Sequence, residues 1–364
     1  MSSFTDAIEA ISQRLDMFFA TRTREADPLG PEASAFVAQT IGAVHGGKRL
    51  RALFCTTGWR AIAEVDGTAE HVPEPLVAAA AALEIFHAAA LVHDDLIDNS
   101  DTRRGRPSAH RALEAHHRTQ AWSGDAAAFG RGSAILAGDL LVAWSDDLFE
   151  DGLRLADPRI AASARTEYAR MRRDVTVGQF LDIAEESAFV SAPDADQAER
   201  ALRVASLKSA RYSVEQPLVI GAALAGADPA QQQALRDFGH PVGMAFQLRD
   251  DVLGVFGDER VTGKPSGDDL REGKRTVLIA YAREALPAAG RAILDRRLGD
   301  PTLDGAQISA LQEMIVSSGA LDRVEELIAE YSRRADSALS GAPLGERATA
   351  ELRELARAAT ARSA

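Results

Sequence analysis

A chain of 364 residues with 46% hydrophobic and 26% charged residues has ample material for a packed core, which excludes a disordered polymer. Its 41 Lys and Arg against 54 Asp and Glu leave a net charge of −13, which argues against a nucleic-acid scaffold and the basic face it needs. The single cysteine, Cys55, excludes an internal disulfide or a thiolate metal cluster and suits a reducing cytosol.

Alanine, leucine, arginine and glutamate dominate, and apolar residues recur every three or four positions, so the fold class reads as all-α. In chain order, the spacing predicts helices over 5–22, 31–44, 47–65, 74–99, 132–151, 158–186, 195–225, 229–255 and 274–286, with more after 303. Asp27-Pro28-Leu29-Gly30-Pro31, Val65-Asp66-Gly67 and Ala192-Pro193-Asp194 separate them, and Pro31 suits a first helical turn. Residues 100–131 and 256–273 read as long irregular loops; each follows paired aspartates, which favours a functional segment. No repeat or long linker divides the chain, so residues 1–364 are expected to form a single-domain helical bundle around a central cavity. The longest apolar run, 76–92, is interrupted by Glu84 and His87, and the N-terminus lacks a basic-then-apolar leader. No transmembrane segment and a cytoplasmic location are therefore expected.

The sharpest feature is His93-Asp94-Asp95-Leu96-Ile97-Asp98, at the end of the predicted apolar helix. Asp94 and Asp98 lie one helical turn apart on one face, with Asp95 beside them. In a partly buried cleft, two such charges repel by about 3 kcal/mol at an effective dielectric near 20, so a counter-cation is needed. Mg²⁺ fits, because it takes one or two carboxylates and completes its shell with water and phosphate oxygens. A solvated acidic helix end would show the same spacing. A second pair, Asp250-Asp251, also ends an apolar helix at a glycine-bearing loop. Basic groups complement them: Gly46-Gly47-Lys48-Arg49-Leu50-Arg51, Arg103-Arg104-Gly105-Arg106-Pro107, Lys208, Lys264 and Lys274. A glycine turn at a helix start favours an anion. In an acidic chain, these clusters and the two acidic pairs together describe a site for Mg²⁺-bridged diphosphates.

Over roughly residues 40–285 the sequence resembles the trans-isoprenyl diphosphate synthases, the polyprenyl synthetase family. Asp94, Asp95 and Asp98 match the first aspartate-rich motif, Gly46 to Arg51 the GGKRxR segment, and Arg103 to Pro107 the RRGxP segment. Gly178, Gln179 and Asp182 match GQxxD, and Lys208-Ser209 the lysine–threonine pair. Phe246 to Asp251 matches the second aspartate-rich motif, followed by Gly263-Lys264, Asp269 and Gly273-Lys274. Two positions depart from the pattern: Ala52 replaces a frequent proline, and Gly254 stands where a third aspartate is usual, so weaker binding of a third metal ion is expected.

The resemblance implies an enzyme that ionises an allylic diphosphate and adds isopentenyl diphosphate to the cation, with Mg²⁺, or Mn²⁺ in its place, as cofactor. It implies metal ligation by Asp94, Asp98 and Asp250, with Asp95 and Asp251 in support. Arg103, Lys208, Gln247, Lys264 and Lys274 are implied contacts of the allylic diphosphate, and Lys48, Arg51, His87 and Arg104 of isopentenyl diphosphate. Ser209 retains the hydroxyl of its motif, and Gln179 and Asp182 are either structural or substrate-contacting. A homodimer is also implied. His116 and His117 read as solvated. Rival readings are an HD-type metal phosphohydrolase built on His93-Asp94, a terpene cyclase, and a non-catalytic partner subunit. Alanine at 89 and 90, four and five residues before the first motif, removes the bulky floor that the family uses to stop at fifteen carbons. Phe86 is the next obstacle, which points to geranylgeranyl diphosphate at twenty carbons; a longer polyprenyl product is the alternative.

Overall fold

The computed structural model describes residues 3–69, 72–191, 193–258 and 266–360. Helices account for nearly all of it: α1 (Ser3–Ala26), α2 (Pro31–Gly42), α3 (Leu50–Ala63) and α4 (Glu74–Ile97) come first. A two-residue hairpin, β1 (Thr102–Arg103) and β2 (Arg106–Pro107), leads to α5 (Ala109–Thr119), α6 (Ala126–Leu153) and α7 (Pro158–Ala188). Next come α8 (Gln197–Val204), a π-helical segment (Ala205–Glu215), α9 (Gln216–Leu224) and α10 (Pro229–Phe256). The short α11 (Asp268–Glu272), α12 (Val277–Ala285) and α13 (Ala288–Arg297) follow, and α14 (Gly305–Ser317), α15 (Ala320–Ala338) and α16 (Glu346–Thr360) close the chain. The fold is all-α.

The core is organised around α4. Its alanines at 78 to 82 are at most 1% exposed, as are Leu76, Leu83 and Ile85. Small side chains let α3, α6 and α9 approach, while each fully buried aliphatic residue contributes about 1.5–3 kcal/mol. Leu141, Leu148 and Phe149 of α6 and Tyr168 and Met171 of α7 complete this cluster. A second core joins α10 to α12, α14 and α15 through Leu248, Leu278, Ile315 and Val324. Among the described residues, α4 and α6 are long and apolar enough to cross a membrane, but α4 is enclosed by the bundle.

Three expectations need correction. Residues 100–131 are not an irregular loop, since they hold the hairpin and α5. The buried residues of α5 are His110, Leu113, Glu114 and His117, so polar side chains stand where aliphatic residues would mark a helix. His117 is 4% exposed and packs against Trp122 and Phe129, and is therefore not solvated. The predicted helix over 195–225 is interrupted by the π-helical segment. Pro217, just beyond it, has no N–H with which to continue an α-helical ladder to Ser213.

Candidate active site

The last turn of α4 carries the first acidic motif, and the hairpin folds back onto it. Arg104 and Gly105 both have positive φ, 53° and 71°, as a two-residue hairpin turn of type I′ requires. The turn aims Arg103 at the motif: its Nε donates to Asp95 Oδ1 at 2.8 Å, Nη2 donates to the same oxygen, and Nη2 lies 3.5 Å from Asp94 Oδ2. Asp95 is 3% exposed, so the paired guanidinium offsets the cost of burying its charge.

The GQxxD segment on α7 secures the other side. A Cβ at Gly178 would come within 2.5 Å of the Lys208 backbone nitrogen, so glycine is what allows α7 to lie against the π-helical segment. That approach brings Gln179 and Asp182 to their partners. Gln179 Nε2 donates to Asp94 Oδ1 at 3.3 Å, and Lys208 Nζ lies 2.5 Å from Asp182 Oδ2 and 3.2 Å from Asp94 Oδ1. Burial works to raise the Asp94 carboxyl, but Lys208, Lys274 and Arg103 outweigh it and hold Asp94 below the usual range. Asp98 goes the other way, raised by burial and by Asp94 against the pull of Lys274. Lys274 Nζ is 3.2 Å from Asp98 Oδ2, 2.6 Å from Glu272 Oε2 and 3.8 Å from Asp269 Oδ1.

Lys274 thereby links the first motif to the chain that follows the second. On α10, Gln247 Nε2 donates to Asp251 Oδ1 at 2.6 Å, while Asp250 is exposed. Burial, with Asp269 next, pushes the Asp251 carboxyl well above its ordinary value. Gly263 and Lys264 lie outside the described residues. Ion pairs through Lys208 and Lys274 span the space where the central cavity is expected.

A separate basic cluster lies along the same helix. Gly46 and Gly47, at φ 86° and 89°, form the turn before α3, and Arg49 caps it at φ 53°. The Arg104 guanidinium lies against Gly47 and donates to the His45 carbonyl at 3.4 Å, so two basic segments far apart in sequence meet. Arg51 stacks over Tyr212 at 4.3 Å and donates to Ser213 Oγ at 2.7 Å. Tyr212 Oη is 3.0 Å from His87 Nδ1. Burial and then the field of Arg51, Arg104, Arg103 and Arg49 hold His87 well below 6.5, so it is neutral near pH 7. A neutral ring has one N–H and one acceptor nitrogen, so with the hydroxyl donating to Nδ1 the Nε2–H stays available as a donor. Lys48 is exposed, and Ser209 is half-buried beside Lys208.

Two residues of this cluster escape the sequence reading. Glu84, 5% exposed on α4, accepts from the Ala52 N–H at 3.1 Å and lies 3.5 Å from Arg49, so it fixes the start of α3. Its signal is a lone acid inside an alanine run. Tyr212 has no such signal; it follows the motif lysine by four residues. Deeper along α4, Phe86 is 6% and Ala89 1% exposed, and Ala90 is half-buried. The Phe86 ring meets Tyr212 at 5.9 Å and Tyr168 at 6.4 Å, both edge-on.

Among the described residues, no three acidic or histidine side chains already converge as a metal shell. The donor set nevertheless suits Mg²⁺: carboxylate oxygens only, with Asp98 Oδ2 buried and lacking a hydrogen bond. His93 is turned away, 3.5 Å from Asp139 on α6, which tells against an HD-type metal centre.

The chain with this site is similar to several known proteins. The geranylfarnesyl diphosphate synthase of Aeropyrum pernix is 33% identical over 314 residues, 85% of this chain and 88% of its own. The nonaprenyl diphosphate synthase of Mycobacterium tuberculosis is 28% identical over 352 residues, 96% and 92% respectively. The geranylgeranyl pyrophosphate synthase of Corynebacterium glutamicum, solved with isoprenyl diphosphate and magnesium, is 37% identical with a TM-score of 0.91, covering 98% of both chains. The polyprenyl synthetase profile matches residues 36–315, which include every motif described above. On this match and this geometry, the chain belongs to the polyprenyl synthetase family.

Proposed function

We propose that this chain is a trans-prenyltransferase that joins an allylic diphosphate to isopentenyl diphosphate and releases diphosphate. The observation that carries the reading is the division of labour along α4. Asp94 and Asp98 sit with Lys208 and Lys274 at its end, while His87, two turns earlier, belongs to a cluster with Arg51 and Arg104. Two anionic groups can thus be held apart, one at the aspartate cluster and one at the arginines beside His87.

Asp94, Asp98 and Asp250 would hold Mg²⁺, or Mn²⁺, which when bound supplies charge neutralisation to a leaving diphosphate. Lys208, Lys274, Lys264, Arg103 and Gln247, with Ser209 nearby, bind and orient the allylic diphosphate. Lys48, Arg51, His87 and Arg104 bind isopentenyl diphosphate, the His87 Nε2–H donating to it. Asp95, Asp251 and Gln179 hold these groups in place. Small Ala89 and Ala90 leave room for the growing chain and Phe86 closes it, which supports a twenty-carbon product, geranylgeranyl diphosphate. The relationship to a geranylfarnesyl diphosphate synthase supports a longer product as the second reading.

Residues 1–364 act as one unit, a homodimer working in the cytoplasm. Exposed Ile135 and Leu136 on α6 and Val177, Phe180 and Ile183 on α7 offer an apolar face to a second copy. Incubating the purified protein with farnesyl and isopentenyl diphosphates, with and without Mg²⁺, tests the activity; no Mg²⁺-dependent condensation refutes it. Chromatography of products from wild type and Phe86→Ala tests the floor: longer chains from the variant support it, and an unchanged product removes Phe86 from the tunnel.

A further inference from the structure

Lys274 stands in the short non-helical stretch between α11 and α12, beside Arg275. The two cations have separate partners. The ammonium reaches Asp98, Glu272 and Asp269, and the guanidinium reaches none of them. Arg275 Cζ lies 3.3 Å from the centroid of the Phe189 ring, and Nη1 donates to Asp295 Oδ1 at 2.7 Å. Phe189 opens the 3₁₀ turn that continues α7, its N–H donating to the Glu185 carbonyl. It therefore stands two helical turns beyond Asp182, the partner of Lys208. Asp295 comes from α13 and is held in turn by α12, where Arg283 Nε donates to both of its oxygens at 2.9 Å. Arg283 and Arg291 also meet Asp194, beyond the end of α7. The Arg275 side chain is only 9% exposed, so its charge has largely left water and depends on Asp295 for compensation.

We propose that Asp295, which belongs to none of the motifs, is a positioning residue for Lys274 and acts through Arg275. A lysine ammonium sits on a flexible four-carbon stem, so its place in the site depends on how firmly its own backbone is held. The Lys274 N–H donates to the Asp269 carbonyl at 3.1 Å, and Arg275 anchors the next residue through its side chain. Without the Asp295 charge, a buried guanidinium loses its counter-ion, and the stretch must shift to bring it to water or to another carboxylate. Lys274 would move with it. Through Phe189 the same anchor bears on α7, so the Lys274 side of the site is set against the side that carries Gln179 and Asp182. The inference rests on the reading of Lys274 as a contact of the allylic diphosphate. Asp295 should therefore matter for that substrate and not for isopentenyl diphosphate.

The test is calorimetric titration of the full chain with farnesyl diphosphate at saturating Mg²⁺, together with the steady-state KM for isopentenyl diphosphate. Thermal melts of each variant serve as the folding control. Asp295→Asn keeps the shape and removes the charge; it should weaken farnesyl diphosphate binding about 5–10-fold, within the range that coupled neighbours show. The KM for isopentenyl diphosphate should stay within about twofold of wild type, a split that general loosening of the fold would not produce. In a Lys274→Ala background the same substitution should cost less than about twofold, because the group it positions is gone. Asp194→Asn, which loosens Arg283 and Arg291 but leaves the Arg275–Asp295 pair, should bind as wild type does. Unchanged binding in Asp295→Asn, a full further loss in the Lys274→Ala background, or an equal loss in Asp194→Asn overturns the proposal. A wild type that binds no farnesyl diphosphate with Mg²⁺ overturns the reading of the site, and the proposal with it.

Discussion

The two acidic motifs look alike in sequence and are built differently. The first is a single helix end whose carboxylates are each held by a named partner: Asp94 by Lys208 and Gln179, Asp95 by Arg103, and Asp98 by Lys274. The second lies across two segments, with Asp250 exposed and Asp251 buried on α10 and the Asp269 carboxylate of α11 filling the side-chain space at Gly254. Paired acids at a helix end thus do not imply equivalent roles. Ionised carboxylates need cations close by; a carboxyl that is buried without one drifts towards its neutral form.

The difference can be broken by mutation. Asp94→Ala should remove a charge held by three cations and lower the condensation rate by roughly 10²–10³-fold, read as steady-state turnover at saturating Mg²⁺. Near-normal turnover would leave the first motif no more important than a solvated helix end. Gly178→Ala should push the π-helical segment and Lys208 off α7, costing about 1–3 kcal/mol of stability by thermal or denaturant unfolding, with activity falling alongside. If both survive, the close packing behind Asp94 is not what orders it.

Asp251→Asn should be the mild counterpart. Burial raises its carboxyl well above the ordinary value, and an amide preserves the contact with Gln247, so the rate should fall by less than about tenfold. A loss as large as that of Asp94→Ala would erase the contrast between the motifs. The smallest effect concerns pH. His87 on α4 is neutral when folded, whereas in the unfolded chain it takes up a proton near 6.5. Below that pH the unfolded state binds the extra proton, so stability is present above about 6.5 and falls by up to about 1.4 kcal/mol per pH unit on acidification. Melting curves between pH 7.5 and 5.5 should show this slope in wild type and a flatter one in His87→Gln.

Much of this was legible from residue order alone, for a physical reason. The α4 run and the acidic groups at its end use local periodicity, and the glycine and arginine pairs mark turns that local rules describe. Spacing carries nothing about which distant side chain fills a given space. The hairpin that aims Arg103 and the meeting of Gly47 with Arg104 depend on where the chain returns. Gly254 is the sharpest case: read along the helix it is a missing carboxylate, and read in space it is a seat for Asp269. The helix α5 was hidden because polar side chains hold most of its buried positions, and the π-helical segment because its residues are ordinary helix formers until Pro217.

That π-helical segment makes the site sensitive to the number of residues as well as to their kind. It carries Lys208 for the acidic cluster and Tyr212 and Ser213 for the basic cluster on one continuous stretch. A π-helix closes its hydrogen bonds over one more residue than an α-helix does. Losing a single residue between Lys208 and Tyr212 while the wide turns persist would rotate Lys208 by about 100° about the helix axis relative to Tyr212. Lys208 would leave Asp94 and Asp182 while Tyr212 stayed with His87. Substitutions in this stretch can be absorbed one at a time, but a one-residue deletion would separate the two halves of the site, so lineages that keep the activity should vary here in residue identity and not in length.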